Sequence, residues 1–185
     1  MKIITIPHPT LREQANRVEK NTSEFTQFLD NLKMTLLSAS NPRGVGLAAP
    51  QVDKLYRVFL TLIEDNQQNP QEFINPVIVK HSDKHTFGPD PENPRLEGCL
   101  SMPGVYGPVP RWEWVELEYE KLENGLFVAD KKKFQGFHAR VIQHEIDHLD
   151  GILFTDYSLE YDLPVYLEKK KQLVEIEDRR ALELY

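Results

Sequence analysis

Two histidines four residues apart bracket a glutamate in His144-Glu145-Ile146-Asp147-His148. On an α-helix, residues i and i+4 stand one above the other on one face, so two imidazoles at this spacing can grip a single cation. Glu145 lies in the same turn, where its carboxylate reaches a water held by such a cation without being a ligand itself. The chemistry implied is metal-assisted hydrolysis. A lone histidine would be read as part of a solvated helix face. Here the apolar residues occupy another face, and that reading leaves the pairing unexplained.

Catalytic sites of this kind ordinarily have three protein ligands, so one is missing. The longer pattern with a third histidine fails, because Phe154 stands at its position. No histidine follows His148, so a zinc endopeptidase would need a downstream carboxylate, with Glu168 or Glu175 as candidates. Both fall in a charged segment that reads better as a solvated helix face. The remaining candidate is Cys99 in Glu97-Gly98-Cys99-Leu100-Ser101, where Gly98 lets the backbone approach a ligand closely. A single cysteine cannot form an internal disulfide and is most often a small buried hydrophobe. Its thiolate is also a strong ligand for iron or zinc, and the glycine-bearing context together with the missing ligand favours that role. The competing classes are the endopeptidase and a non-catalytic binding module with a structural Cys-His-His metal, although structural sites are normally closed by four protein ligands.

These residues need a frame. Ala139, Ile142, Ile146 and Leu149 share one face of a helix over residues 137–150, which Gly151 ends. Phe25, Phe28, Leu29, Leu32 and Leu36 predict an earlier amphipathic helix behind the caps Asn21 and Thr22. Residues 41–51 are punctuated by glycine and proline, and the apolar runs 55–63 and 73–79 read as strands. Residues 81–95, with Pro89, Pro91 and Pro94, read as a long surface loop that modulates access to the site. Residues 112–121 alternate, Asn124-Gly125 is a hairpin turn, and Leu126-Phe127-Val128 begins the return strand. A last charged helix is expected from Asp162-Leu163-Pro164 towards Tyr185. Strands in the middle with helices at both ends predict an α+β fold: antiparallel sheets packed around a central helix carrying the histidines, with a C-terminal helix.

The chain has 185 residues, 40% of them hydrophobic, which suits one domain spanning 1–185. Its net charge of −7 leaves no global positive field to collect sequence-specific nucleic acid or an anionic membrane. No apolar run of signal or membrane-span length is present, so a cytoplasmic protein is expected.

Three segments together resemble the peptide deformylase family: Gly44-Val45-Gly46-Leu47-Ala48-Ala49-Pro50-Gln51, Glu97-Gly98-Cys99-Leu100-Ser101 and Gln143-His144-Glu145-Ile146-Asp147-His148, in the family's order. The opening Ile6-Pro7-His8-Pro9-Thr10-Leu11-Arg12 is also similar, so the resemblance covers most of residues 3–157. It implies hydrolytic removal of the formyl group from the N-terminal formyl-methionine of nascent polypeptides. By resemblance, Cys99, His144 and His148 bind one divalent metal ion and Glu145 is general base and acid. Gln51 and the Leu100 backbone N–H would stabilise the oxyanion. Val45, Gly46, Glu97, Gly98, Phe137 and Val141 would contact substrate, with Val141 sharing the face of His144 and Glu145. Nitrogen and sulfur ligands accept Fe²⁺, Zn²⁺, Ni²⁺ or Co²⁺, and the resemblance implies Fe²⁺. The expected partner is an N-formyl-methionyl peptide. In some bacterial members the C-terminal helix docks on the ribosome. Here Lys169, Lys170, Lys171, Arg179 and Arg180 are balanced by Glu168, Glu175, Glu177, Asp178 and Glu183, so a transient ribosome contact gains little support from charge.

Overall fold

The hydroxyl oxygen of Thr22 accepts the Phe25 backbone N–H at 3.1 Å and so starts α1 (Ser23–Ser38). Phe25, Phe28, Leu29, Leu32 and Leu36 form its buried stripe, as their spacing predicts. The computed structural model describes residues 1–40, 43–63, 69–90 and 92–178. After α1 the chain forms β1 (Gly46–Ala48), β2 (Val58–Thr61) and β3 (Gln71–His81). Four shorter strands follow: β4 (His85–Thr86), β5 (Leu96–Cys99), β6 (Met102–Pro108) and β7 (Arg111–Trp112). The Asn124-Gly125 hairpin joins β8 (Trp114–Glu123) to β9 (Leu126–Gln135). Then come α2 (Gly136–Leu149), α3 (Phe154–Glu160), β10 (Tyr166–Lys169) and β11 (Gln172–Glu175).

Alternation in sequence becomes layering in space. In β8, Val115, Leu117 and Tyr119 are buried, while Glu116 and Glu118 meet Lys131 of β9 at 3.2 and 2.8 Å. The larger sheet runs β1-β2-β3-β8-β9 and the smaller β11-β10-β6-β5, with β4 and β7 as a separate antiparallel pair. Helix α2 lays Ala139, Ile142, Ile146 and Leu149 on the larger sheet, against Phe59, Phe73, Val115 and Leu117. Gly151 closes it at φ 73°, and a side chain there would strike the Arg12 carbonyl at 2.7 Å, so only glycine lets the chain turn at that point. This is the α+β arrangement of antiparallel sheets around a central helix that the pattern predicts.

Two local expectations are corrected. A helix does lie towards the C-terminal end, but it is α3, before Asp162; the segment expected to be helical from there on forms the β10–β11 hairpin instead. Tyr166 and Leu167 pair with Tyr106 and Val105 of β6, and buried Val165 joins the core of the smaller sheet, so tertiary pairing overrides the helix-forming charged residues. Arg179, Arg180 and Glu183 of the expected helix lie outside the described residues. The 81–95 segment is also more ordered than a free loop. His81 and His85 stack on Trp112, at ring-centroid distances of 3.8 and 5.6 Å, where β4 pairs with β7; Pro91 lies outside the described residues.

The hairpin turn supplies a test with opposite signs for strand and helix. Lys170 and Lys171 sit at φ 51° and 65°, a region costly for lysine and natural for Asn-Gly. Replacing them together, Lys170→Asn and Lys171→Gly, should stabilise the protein by about 1 kcal/mol in urea unfolding, by relieving the left-handed backbone cost that L residues bear. A helix here would instead lose about 1 kcal/mol.

Candidate metal centre and active site

The buried apolar face of α2 fixes the rotation of the helix, and with it the face that carries the polar residues. His144, Glu145 and His148 lie off that apolar face, with Glu145 against Gly46 of β1 and His148 against Cys99, the last residue of β5. The Cys99 Sγ lies 3.1 Å from the His148 Nε2, and one ligand atom from each of Cys99, His144 and His148 falls within 4.8 Å of the others. Cys99 is 6% exposed and His148 1%. Burial by itself would raise the Cys99 thiol, but the charge of His148 and hydrogen bonds from both histidines hold its pKa well below the ordinary thiol value. A buried thiolate with two imidazoles is a donor set that fits a divalent transition metal.

Glu145 stands beside this group. Its Oε2 is buried without a hydrogen-bond partner, and burial pushes its carboxyl up to about 7 against the opposing charges of His144 and His148. A carboxyl that exchanges its proton near neutrality is suited to general acid–base work. The space a Gly46 side chain would need is filled by the Glu145 carboxylate, so this glycine is what lets β1 lie against the helix. Gln51 is fixed by its Oε1, which accepts the Ala48 backbone N–H at 2.8 Å. Its Nε2 points towards Cys99 Sγ and Ser101 Oγ, at 3.4 and 3.3 Å.

The sequence reading missed the group of charges behind His144. Fully buried Arg111 donates to both Glu97 oxygens, at 3.1 and 2.8 Å, and to Asp147 at 2.5 Å. Arg140 donates to Glu97 at 3.0 Å and to the carbonyls of Val109 and Thr86. The remaining contact of Glu97 is with the His144 Nδ1 at 3.2 Å, which leaves the other ring nitrogen of His144 to face the centre. Burial would raise the Glu97 pKa, but Arg111 and His144 outweigh it and keep the carboxylate ionised well below its usual range. Arg111 was discoverable as the one charge in the otherwise uncharged run Val105–Trp112, and Arg140 as a charge among the apolar residues Ala139, Val141 and Ile142.

A cavity of about 240 Å³ opens onto the centre, and Val45, Gly46, Gln51, Glu97, Gly98, Cys99, Leu100, Phe137, Val141, His144 and Glu145 all line it. Glu97, expected as a substrate contact, lines the cavity while its oxygens accept from Arg111, Arg140 and His144. Phe154, at the position of the longer pattern's third histidine, is a core residue stacked on His144, and the carboxylate alternatives Glu168 and Glu175 sit on the C-terminal hairpin, outside the cluster, where Glu168 accepts the Tyr106 hydroxyl at 3.3 Å. Among the described residues the cluster has three members, one fewer than a closed structural site needs.

The frame and this cluster define a class, the metal-dependent hydrolases that build their centre on a sheet-packed helix. The family profile described as polypeptide deformylase matches residues 1–162. Peptide deformylase 2 of a Nostoc species is 38% identical over 180 residues, covering 93% of each chain. The peptide deformylase of Desulforudis audaxviator is 43% identical over 156 residues, 84% of this chain and 91% of the relative. Among solved structures, a Synechococcus elongatus peptide deformylase in complex with actinonin superposes with a TM-score of 0.71 at 34% identity, covering 92% of this chain and 80% of that one. The chain belongs to the peptide deformylase family. No helix among the described residues is long and apolar enough to cross a membrane.

Since Glu97 is shared by two guanidiniums and the imidazole of His144, its charge should matter more than its shape. Glu97→Gln should cost about 3–5 kcal/mol of stability, as breaking buried pairs does. It should also weaken metal binding by roughly 10- to 100-fold through His144. Denaturant unfolding beside metal titration checks both; a stable variant with unchanged metal affinity would remove Glu97 from its assigned role.

Proposed function

We propose that the chain removes the formyl group from N-terminal formyl-methionine of nascent polypeptides, with Cys99, His144 and His148 holding one divalent ion, Fe²⁺ in the cell. The observation that carries this reading is the convergence of a thiol, two imidazoles and an unpaired carboxylate, with Cys99, His144 and Glu145 lining one cavity and His148 buried behind them. We further propose that the chain works as one catalytic unit in the cytoplasm.

A divalent ion supplies Lewis-acid activation of water and of the formyl carbonyl. The residues do the rest. Glu145 takes a proton from the attacking water and returns it to the departing amine, so that formate and a free methionyl N-terminus leave. Gln51 Nε2, anchored through its own Oε1, and the Leu100 backbone N–H would donate to the oxyanion, a reading supported by both residues lining the cavity. Phe137, Val141 and Val45 offer the apolar wall for the methionine side chain. A formyl group presents only hydrogen where an acetyl group has a methyl, so a tight site would admit the first and exclude the second, and the close approach of Gly46 to Glu145 supports that reading.

Formate release from formyl-Met and acetyl-Met peptides tests the reading, with protein prepared anaerobically because an iron thiolate is open to oxidation. Only the formyl peptide should react. Glu145→Gln should stay metallated while turnover falls by about 10²- to 10⁴-fold. Cys99→Ala should lose metal along with activity. Cleavage of internal peptide bonds without formate release, or a fully metallated and active Cys99→Ala, would contradict the proposal.

A further inference from the structure

The cavity carries more positive charge than its centre requires. Within the buried group, Arg111 and Arg140 are matched by Glu97 and Asp147. The cavity wall itself carries Arg43, Arg95 and Arg140, and of these Arg95 makes no ion pair with any described residue. Its guanidinium carbon lies 4.3 Å from the centre of the Phe137 ring, and both side chains line the cavity. Arg140 lines the same wall, 4% exposed, with its Nε buried and unpartnered. Burial lowers the Arg140 pKa, and the charges of Arg111 and Arg95 push the same way, against Glu97, so Arg95 is near enough to be felt. The acidic residues lining the cavity are Glu97 and Glu145; the first is engaged by Arg111, Arg140 and His144, and the second stands at the centre. An unmatched positive rim is left on a chain whose net charge is −7.

The path to that rim is also laid out. β5 is the outer strand of its sheet, so its free edge can take an extended peptide by backbone pairing. A peptide running antiparallel to β5, with its formyl group at Cys99, passes Arg95 four residues on. At about 3.4 Å per residue this is roughly 14 Å from the centre, within reach of side chains at the second to fourth substrate positions.

We propose that Arg95, stacked on Phe137 beside Arg140, forms an anion subsite that favours formylated peptides with an aspartate or glutamate at the second, third or fourth position. This deepens the deformylase reading of the same cavity and rests on it. The subsite is open to solvent, so the preference is moderate and sensitive to ionic strength.

The test compares kcat/KM for formyl-Met peptides bearing Glu, Gln or Lys at each of the three positions in turn. At the responsive position Glu should exceed Gln by about three- to fivefold, the upper range for an exposed ion pair, and high salt should erase the difference. Arg95→Gln should bring the Glu-to-Gln ratio to one, Arg95→Lys should keep part of it, and Arg95→Glu should favour the Lys peptide. A wild-type ratio of one at all three positions, or a ratio that survives in both Arg95→Gln and Arg95→Glu, would overturn the subsite. Absence of formate from every peptide, including the neutral ones, would instead sink the deformylase reading beneath it.

Discussion

One buried carboxylate, Glu97, receives Arg111, Arg140 and the imidazole of His144, and the centre depends on that shared charge. The three donors come from two elements: Arg111 from β7, and Arg140 and His144 from α2. Glu97 itself is on β5, two residues before Cys99. The same contact therefore ties the strand that brings the thiol to the helix that brings the imidazoles. Burying such a group is costly unless every charge is met, and here Asp147 completes the count by taking the remaining arm of Arg111. What the molecule gains is position: a ring held at Nδ1 presents its other nitrogen in a fixed direction.

Helix α2 serves two masters by its periodicity. One face is apolar and held by the larger sheet; the other is polar and meets the smaller sheet and the cavity. Rotation of the helix would pull Ile142 and Ile146 out of the core, so the hydrophobic face also orients His144, Glu145 and His148. β1 closes the centre from the third side, and Gly46 is the residue that lets it come so near the Glu145 carboxylate.

Much of this was legible beforehand because periodicity is a local property. The α1 stripe, the Asn124-Gly125 hairpin and the face of α2 follow from spacing alone, and the histidine pair follows from the same helical geometry. Cys99 was reachable only by asking what was missing, since nothing local distinguishes a ligand thiol from a buried one. The arginine–carboxylate group was not legible, because its pairings join residues 97, 111, 140 and 147 across three elements and no local pattern encodes them. The C-terminal hairpin was misread for a related reason: Tyr166–Lys169 becomes a strand by pairing with β6, a partner some sixty residues away that leaves no mark on its own composition.

The central claim is that Cys99 joins His144 and His148 on one metal ion. X-ray absorption spectroscopy of protein loaded with one equivalent of zinc reads this directly, because sulfur and nitrogen neighbours differ in distance and scattering. The account predicts one sulfur at about 2.3 Å and two imidazole nitrogens at about 2.0–2.1 Å. A first coordination shell made only of nitrogen and oxygen, with no sulfur, would contradict it.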